Sequence, residues 1–182
     1  MSTFTRTRNS KLGYNVDQVD EFLQQARRAY DADRNQVALL TAADIRHTAF
    51  AMQKGGYATD QVDAALERLE DAFALRERDI ARIVRGDKAW YTEARSTAQV
   101  ILNRLDRPAN RRFDRTSVLT FGYNRAEVDA FAARLFRYFQ QGKTMSVDDV
   151  RTSTFRPQRG GYKEIQVDLL LDSVTDVMLA VR

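Results

Sequence analysis

The chain contains no cysteine. That excludes disulfides, thiol catalysis and thiolate metal sites. Its one histidine, His47, has neither a cysteine partner nor an H-E-x-x-H frame. A P-loop and a G-x-G-x-x-G fingerprint are both missing. The acidic pairs Glu70-Asp71 and Asp148-Asp149 read as a solvated face and a helix start. Only two prolines and eight glycines interrupt 182 residues, which suits a helical chain. No apolar run is long enough to span a bilayer. Residues 1–6 lack the apolar stretch of a signal peptide. These absences lead to the expectation of a cytoplasmic, non-enzymatic protein with no cofactor, no metal and no small-molecule substrate.

What the chain does contain is a repeat. Gly13-Tyr14-Asn15-Val16-Asp17-Gln18-Val19-Asp20 returns as Gly56-Tyr57 through Val62-Asp63, as Gly122-Tyr123 through Val128-Asp129 and as Gly161-Tyr162 through Val167-Asp168. The shared pattern is G-Y-x-x-x-[QE]-V-D, and an internal repeat of this kind decides the architecture. The motif reads locally as a helix start. Asn15 and Asn124 stand as N-caps, and Gln18 and Glu127, three residues on, are placed to reach back to the cap's own N–H. Tyrosine before the cap and valine in the first turn match a hydrophobic staple. The glycine is expected to let the chain bend sharply into the helix. Ala58 and Lys163 replace asparagine in the other two copies, where Thr59 is an alternative cap.

The flanking segments echo one another too. Phe4-Thr5-Arg6-Thr7 matches Phe113-Asp114-Arg115-Thr116, and each phenylalanine precedes its tyrosine by ten residues. Thr41 through Arg46 matches Ser146 through Arg151, and Phe50 and Phe155 each precede their tyrosine by seven. The order is therefore A-B-A′-B′, a duplicated two-copy unit. Helices are predicted over about 16–30, from Thr41, over 59–105, over 125–141 and over 164–182. The longest carries apolar residues on a heptad grid, with polar defects at Arg76, Asp87 and Thr97, and Gly86 is where it kinks or breaks. Residues 31–35 are a weak spot. Arg107-Pro108-Ala109-Asn110 is the best boundary, giving domains 1–106 and 107–182. The expected fold is all-α: short helix–loop–long helix units repeated four times in a bundle with coiled-coil-like packing.

A net charge of +4 hides an uneven distribution. Residues 1–16, 45–59, 107–126 and 151–163 hold fourteen Lys/Arg and one acid, Asp114. The remainder holds fifteen basic and 24 acidic residues. Basic loops on an acidic helical body suit an anionic partner at the loops, or copies stacking loop to helix. A nucleic-acid binder is the rival reading, from a pI near 9.5 and Arg107, Arg111, Arg112 and Arg115. No recognition motif supports it, and the acidic helices oppose phosphate.

Thr41-Ala42-Ala43-Asp44-Ile45, Phe50, Gly56-Tyr57, Val62-Asp63 and Leu66 resemble the N-terminal domain of DivIVA-type proteins. So do Ser146, Asp149-Val150, Phe155, Gly161-Tyr162, Val167-Asp168 and Leu171. The likeness covers about half of the chain and is looser for the A copies. It implies a bacterial scaffold of cell division or polar growth that self-associates, contacts division or growth proteins and collects at curved membrane. It also implies pairing through crossed loops and an aromatic-basic loop tip that touches lipid. Two copies in one chain suggest that this pairing is made within a molecule, as a pseudo-dimer; a homo-oligomer is the other arrangement. A soluble protein–protein adaptor is the alternative to a membrane-surface scaffold. No copy shows an adjacent aromatic-then-basic tip. The candidates for anion or lipid contact are Arg6, Arg8, Lys11, Lys54, Arg111, Arg112, Arg156 and Arg159. Leu119 and Phe121, with Val118, are the candidates for insertion; the competing expectation packs them between helices. The motif positions expected to be structural are Gly13, Tyr14, Val19, Gly56, Tyr57, Val62, Gly122, Tyr123, Val128, Gly161, Tyr162 and Val167.

Overall fold

The structure is a computed structural model that describes residues 4–31 and 40–181. In chain order it contains β1 (Leu12–Tyr14), α1 (Val16–Asp31), α2 (Ala42–Arg46), β2 (Met52–Lys54), α3 (Thr59–Arg85), α4 (Asp87–Leu105), β3 (Phe121–Tyr123), α5 (Arg125–Gln141), α6 (Val147–Arg151), β4 (Pro157–Arg159) and α7 (Glu164–Val181). The molecule is mostly helical, as the periodicity predicts. The strands are the departure from an all-α fold. β1 pairs antiparallel with β2, and β3 with β4. The repeated Gly-Tyr therefore lies on or beside a strand, and the helix begins only after it. The weak spot at 31–35 lies, but for Asp31, outside the described residues.

The short helices form where the sequence supplies their caps. Thr41 and Ser146 each make a full capping box with the aspartate three residues on. Asn15 and Asn124 accept from the backbone N–H of Gln18 and Glu127. Gly142, at φ 63°, ends α5 in the left-handed conformation that glycine adopts without strain.

The chain divides into two compact units, Met1–Val84 and Arg85–Arg182. The expected boundary at 106/107 is displaced, and the reason is local. Gly86 takes φ 84° and stops the long helix, so the predicted 59–105 element is two helices. Beyond the break, α4 packs on α5 and α7, and the Trp90 indole N–H donates to the Ala180 carbonyl at 3.3 Å.

In the first unit Val16, Val19, Tyr57 and Val62 form one core cluster. A second joins Ala26, Ala29, Leu40, Ala42, Ile45 and Phe73. In the second unit Phe113, Val128, Tyr162 and Val167 repeat the first cluster. The valines of the motif are thus core residues. At about 1.5–3 kcal/mol for each fully buried side chain, these clusters hold the helix starts onto the strands.

Candidate functional site

Within each unit the A copy and the B copy cross at their Gly-Tyr dipeptides. Tyr14 N–H donates to Tyr57 O and Tyr57 N–H to Tyr14 O, both at 2.9 Å. Tyr123 and Tyr162 exchange the same two bonds at 3.0 Å. The glycines make this approach possible. A Cβ on Gly13 would stand 2.3 Å from Tyr57 O, and one on Gly122 2.2 Å from Tyr162 O. No real Cβ tolerates that distance, so each glycine is required by the other copy's backbone. This corrects the expectation that it serves a local bend.

The remaining motif positions also act across the pair. The Tyr57 hydroxyl donates to the carboxylate of Asp20 at 3.1 Å, and that of Tyr162 to Asp129 at 3.1 Å. Tyr14 hydrogen-bonds Asp63, and Tyr123 bonds Asp168. Each tyrosine therefore bonds the aspartate that ends the other copy's motif. Burial, followed by the neighbouring carboxylate, raises the Tyr14, Tyr123 and Tyr162 hydroxyls above their ordinary pKa. Burial likewise raises Asp168.

The Gln/Glu position behaves in the same way, against the predicted capping box. Gln18 accepts from Ala51 N–H at 2.8 Å, while Asn15 N–H donates to Ala51 O at 2.8 Å. In the second unit Glu127 accepts from the backbone N–H of Arg156 at 2.8 Å and also grips its guanidinium. Gln61 accepts from Thr5 N–H, and Gln166 from Asp114 N–H, both at 2.9 Å. The echoed phenylalanines complete the exchange. Phe4 packs edge-on against Tyr57 and Phe50 against Tyr14; Phe113 meets Tyr162 and Phe155 meets Tyr123.

Beside each crossing a β-turn forms a tip. Lys11 N–H donates to Arg8 O at 2.8 Å, which puts Asn9 and Ser10 at the apex. Thr120 N–H donates to Ser117 O at 3.0 Å, which puts Val118 and Leu119 at the equivalent apex. Asn and Ser suit a turn chemically, whereas Val and Leu do not. Val118 is 79% and Leu119 81% exposed. Neither packs between helices, so that competing expectation is overturned. Phe121, on β3, is 54% exposed and faces Arg159 of β4 in register. The Arg159 guanidinium lies 5.4 Å from the ring centroid. The positions facing each other in the first unit are Leu12 and Lys54.

The structure separates the basic candidates. Arg6, Arg8, Lys11, Lys54, Arg111, Arg156 and Arg159 are exposed, although Arg156 is tied to Glu127. Arg112 is not a surface cation. Its Nη1 lies 2.7 Å from Asp129 Oδ1, with the two side chains 13% and 10% exposed, and its Nε donates to Leu105 O. Asp129 also accepts from Asn110 N–H at 2.8 Å. Three donors thus converge on one buried carboxylate, which fixes Arg112 as a structural residue. The partners missed by sequence reasoning are Asp20, Asp63, Asp129 and Asp168. Their signal was the motif's own final letter, read there as part of a helix.

Among the described residues no cluster of His, Cys, Asp and Glu could hold a metal ion. Among the described residues no helix is long and apolar enough to cross a membrane. No protein-family model, curated protein or solved structure matches the chain.

Proposed function

We propose that this chain is a non-enzymatic scaffold of bacterial cell division or polar growth that works at the inner surface of the membrane. In this reading each A–B crossing stands in for a pairing that single-copy proteins make between two chains. Two tips are thereby built into one molecule, and their role is attachment and protein contact. The resemblance to DivIVA-type N-terminal domains supports the scaffold part. Division and growth proteins are the partners this implies.

The observation that carries the membrane part is the apex of the second tip. Val118 and Leu119 occupy the centre of a solvent-facing turn, where neither turn chemistry nor a core calls for them. With Phe121 they form an apolar wedge beside Arg159. Burying such side chains in lipid contributes about 1.5–3 kcal/mol each. A basic residue at an anionic surface adds about 1 kcal/mol. Arg111 and Arg159 are the cations of this unit expected to meet lipid phosphate. Arg6, Arg8, Lys11 and Lys54 surround the first tip, which has no wedge.

Flotation with vesicles of anionic or zwitterionic lipid tests this. The protein is expected to float with anionic vesicles and to keep floating at high salt, and Leu119→Asp is expected to abolish flotation without changing the helical spectrum. Flotation unchanged in Leu119→Asp contradicts insertion by this tip. Absence of flotation under any condition favours the soluble adaptor.

A further inference from the structure

Within the Arg85–Arg182 unit α4 packs on α5 and α7, and it does so unevenly. Its inward stripe runs through Ala94, Ala98, Ile101 and Leu105, in steps of four, three and four residues. Ile101 and Leu105 fill their end of the interface and are 2% and 1% exposed. The other end has only methyl groups to offer. There Ala94 and Ala98 line an open cleft of about 300 Å³, whose other walls include Phe139 near the end of α5 and Val177 near the end of α7. Helix interfaces are otherwise close-packed, and a larger apolar side chain at either alanine would fill much of this gap.

The walls are apolar and aromatic, and the mouth is wet. Val177 is buried, whereas Tyr91 and Val181 are 48% and 54% exposed. Tyr138 and Phe139, both half-buried, stand edge to face with ring centroids 5.0 Å apart. One lining side chain is charged. It is Arg95, exposed and one turn along α4 from Tyr91. Among the described residues no carboxylate lines this cleft. A smaller cleft of about 200 Å³, also lined by Ala94 and Val177, carries Glu93 and Asp176 instead. Ligand sites combine apolar and aromatic walls with a few polar groups that fix orientation. Hydrocarbon walls with one cation at the mouth are complementary to a short acyl chain with an anionic head, and the acidic neighbour is not.

We propose that the cleft binds a small anionic amphiphile, a medium-chain fatty carboxylate. The chain lies between α4 and the C-terminal ends of α5 and α7, and Arg95 meets the head group. Removing the hydrocarbon from water drives binding. The exposed Arg95 sets orientation more than affinity. The cleft shares no residue with either tip, so this inference is independent of the membrane reading.

Calorimetric titration of the full chain with octanoate and with octanol tests the site. Both are expected to bind the wild type once per chain, octanoate the tighter by about two- to fivefold, the range of an exposed ion pair. Arg95→Gln, which leaves the core untouched, should lower octanoate to the affinity of octanol and leave octanol unchanged. Ala98→Phe should abolish both by occupying the cleft, with the helical spectrum retained. Binding that survives in folded Ala98→Phe overturns the site, and so does the absence of saturable heat from either probe in the wild type. If Ala98→Phe does not fold, the Arg95→Gln titration decides: an octanoate affinity that this variant leaves unchanged overturns the proposal.

Discussion

Each letter of G-Y-x-x-x-[QE]-V-D is explained by a residue of the other copy. Glycine admits a carbonyl, tyrosine reaches an aspartate, Gln or Glu accepts from a backbone N–H, and valine enters the shared core. Tyr162 is fully buried, so Tyr162→Phe leaves part of the bonding capacity of Asp129 unused. The expected cost is about 0.5–1.5 kcal/mol in urea unfolding. Gly122→Ala drives a methyl into the Tyr162 carbonyl at 2.2 Å. It is expected to cost about 1–3 kcal/mol, and an unchanged urea midpoint in Gly122→Ala would contradict the crossing. At this scale the sequence revealed which residues matter, because they recur. It concealed why, because a capping box and a cross-copy bond use the same side chains at the same spacing. On that ground Gln18 and Glu127 read in the sequence as partners of their own caps.

At the scale of elements, the helices were legible and the strands were not. A helix of sixteen residues such as α1 shows several turns of apolar periodicity. A three-residue strand such as β1 is too short to show alternation, and its pairing partner lies about forty residues away. The clasp between Glu127 of α5 and Arg156, just before β4, gives this pairing a pH signature. Hydrogen bonds from the Arg156 backbone and side chain hold the Glu127 carboxyl below its ordinary value of 4.5. A lowered folded-state pKa contributes stability that is present above the unfolded value and is lost as pH falls through the folded one. Thermal stability is therefore expected to fall below about pH 4.5, less steeply in Glu127→Gln than in the wild type. Parallel pH profiles for the two proteins would show that the clasp carries no such linkage. Burial raises Asp168, which has the opposite sign: protonation at low pH relieves its cost.

At the scale of the whole molecule, the duplication was readable from the offsets of the copies, and the unit boundary was not. Arg107-Pro108 drew the division to 106/107 because proline ends helices. The structure divides at Val84/Arg85, where a glycine has already ended one. The central claim is that A and B pair within one chain. The absence of cysteine makes it directly measurable. Leu12 and Lys54 are register partners across β1 and β2, both with exposed side chains. The double variant Leu12→Cys/Lys54→Cys should oxidise to an internal disulfide, giving a monomer that migrates faster on non-reducing than on reducing electrophoresis. Conversion instead to disulfide-linked dimers or larger species would show that the copies pair between chains.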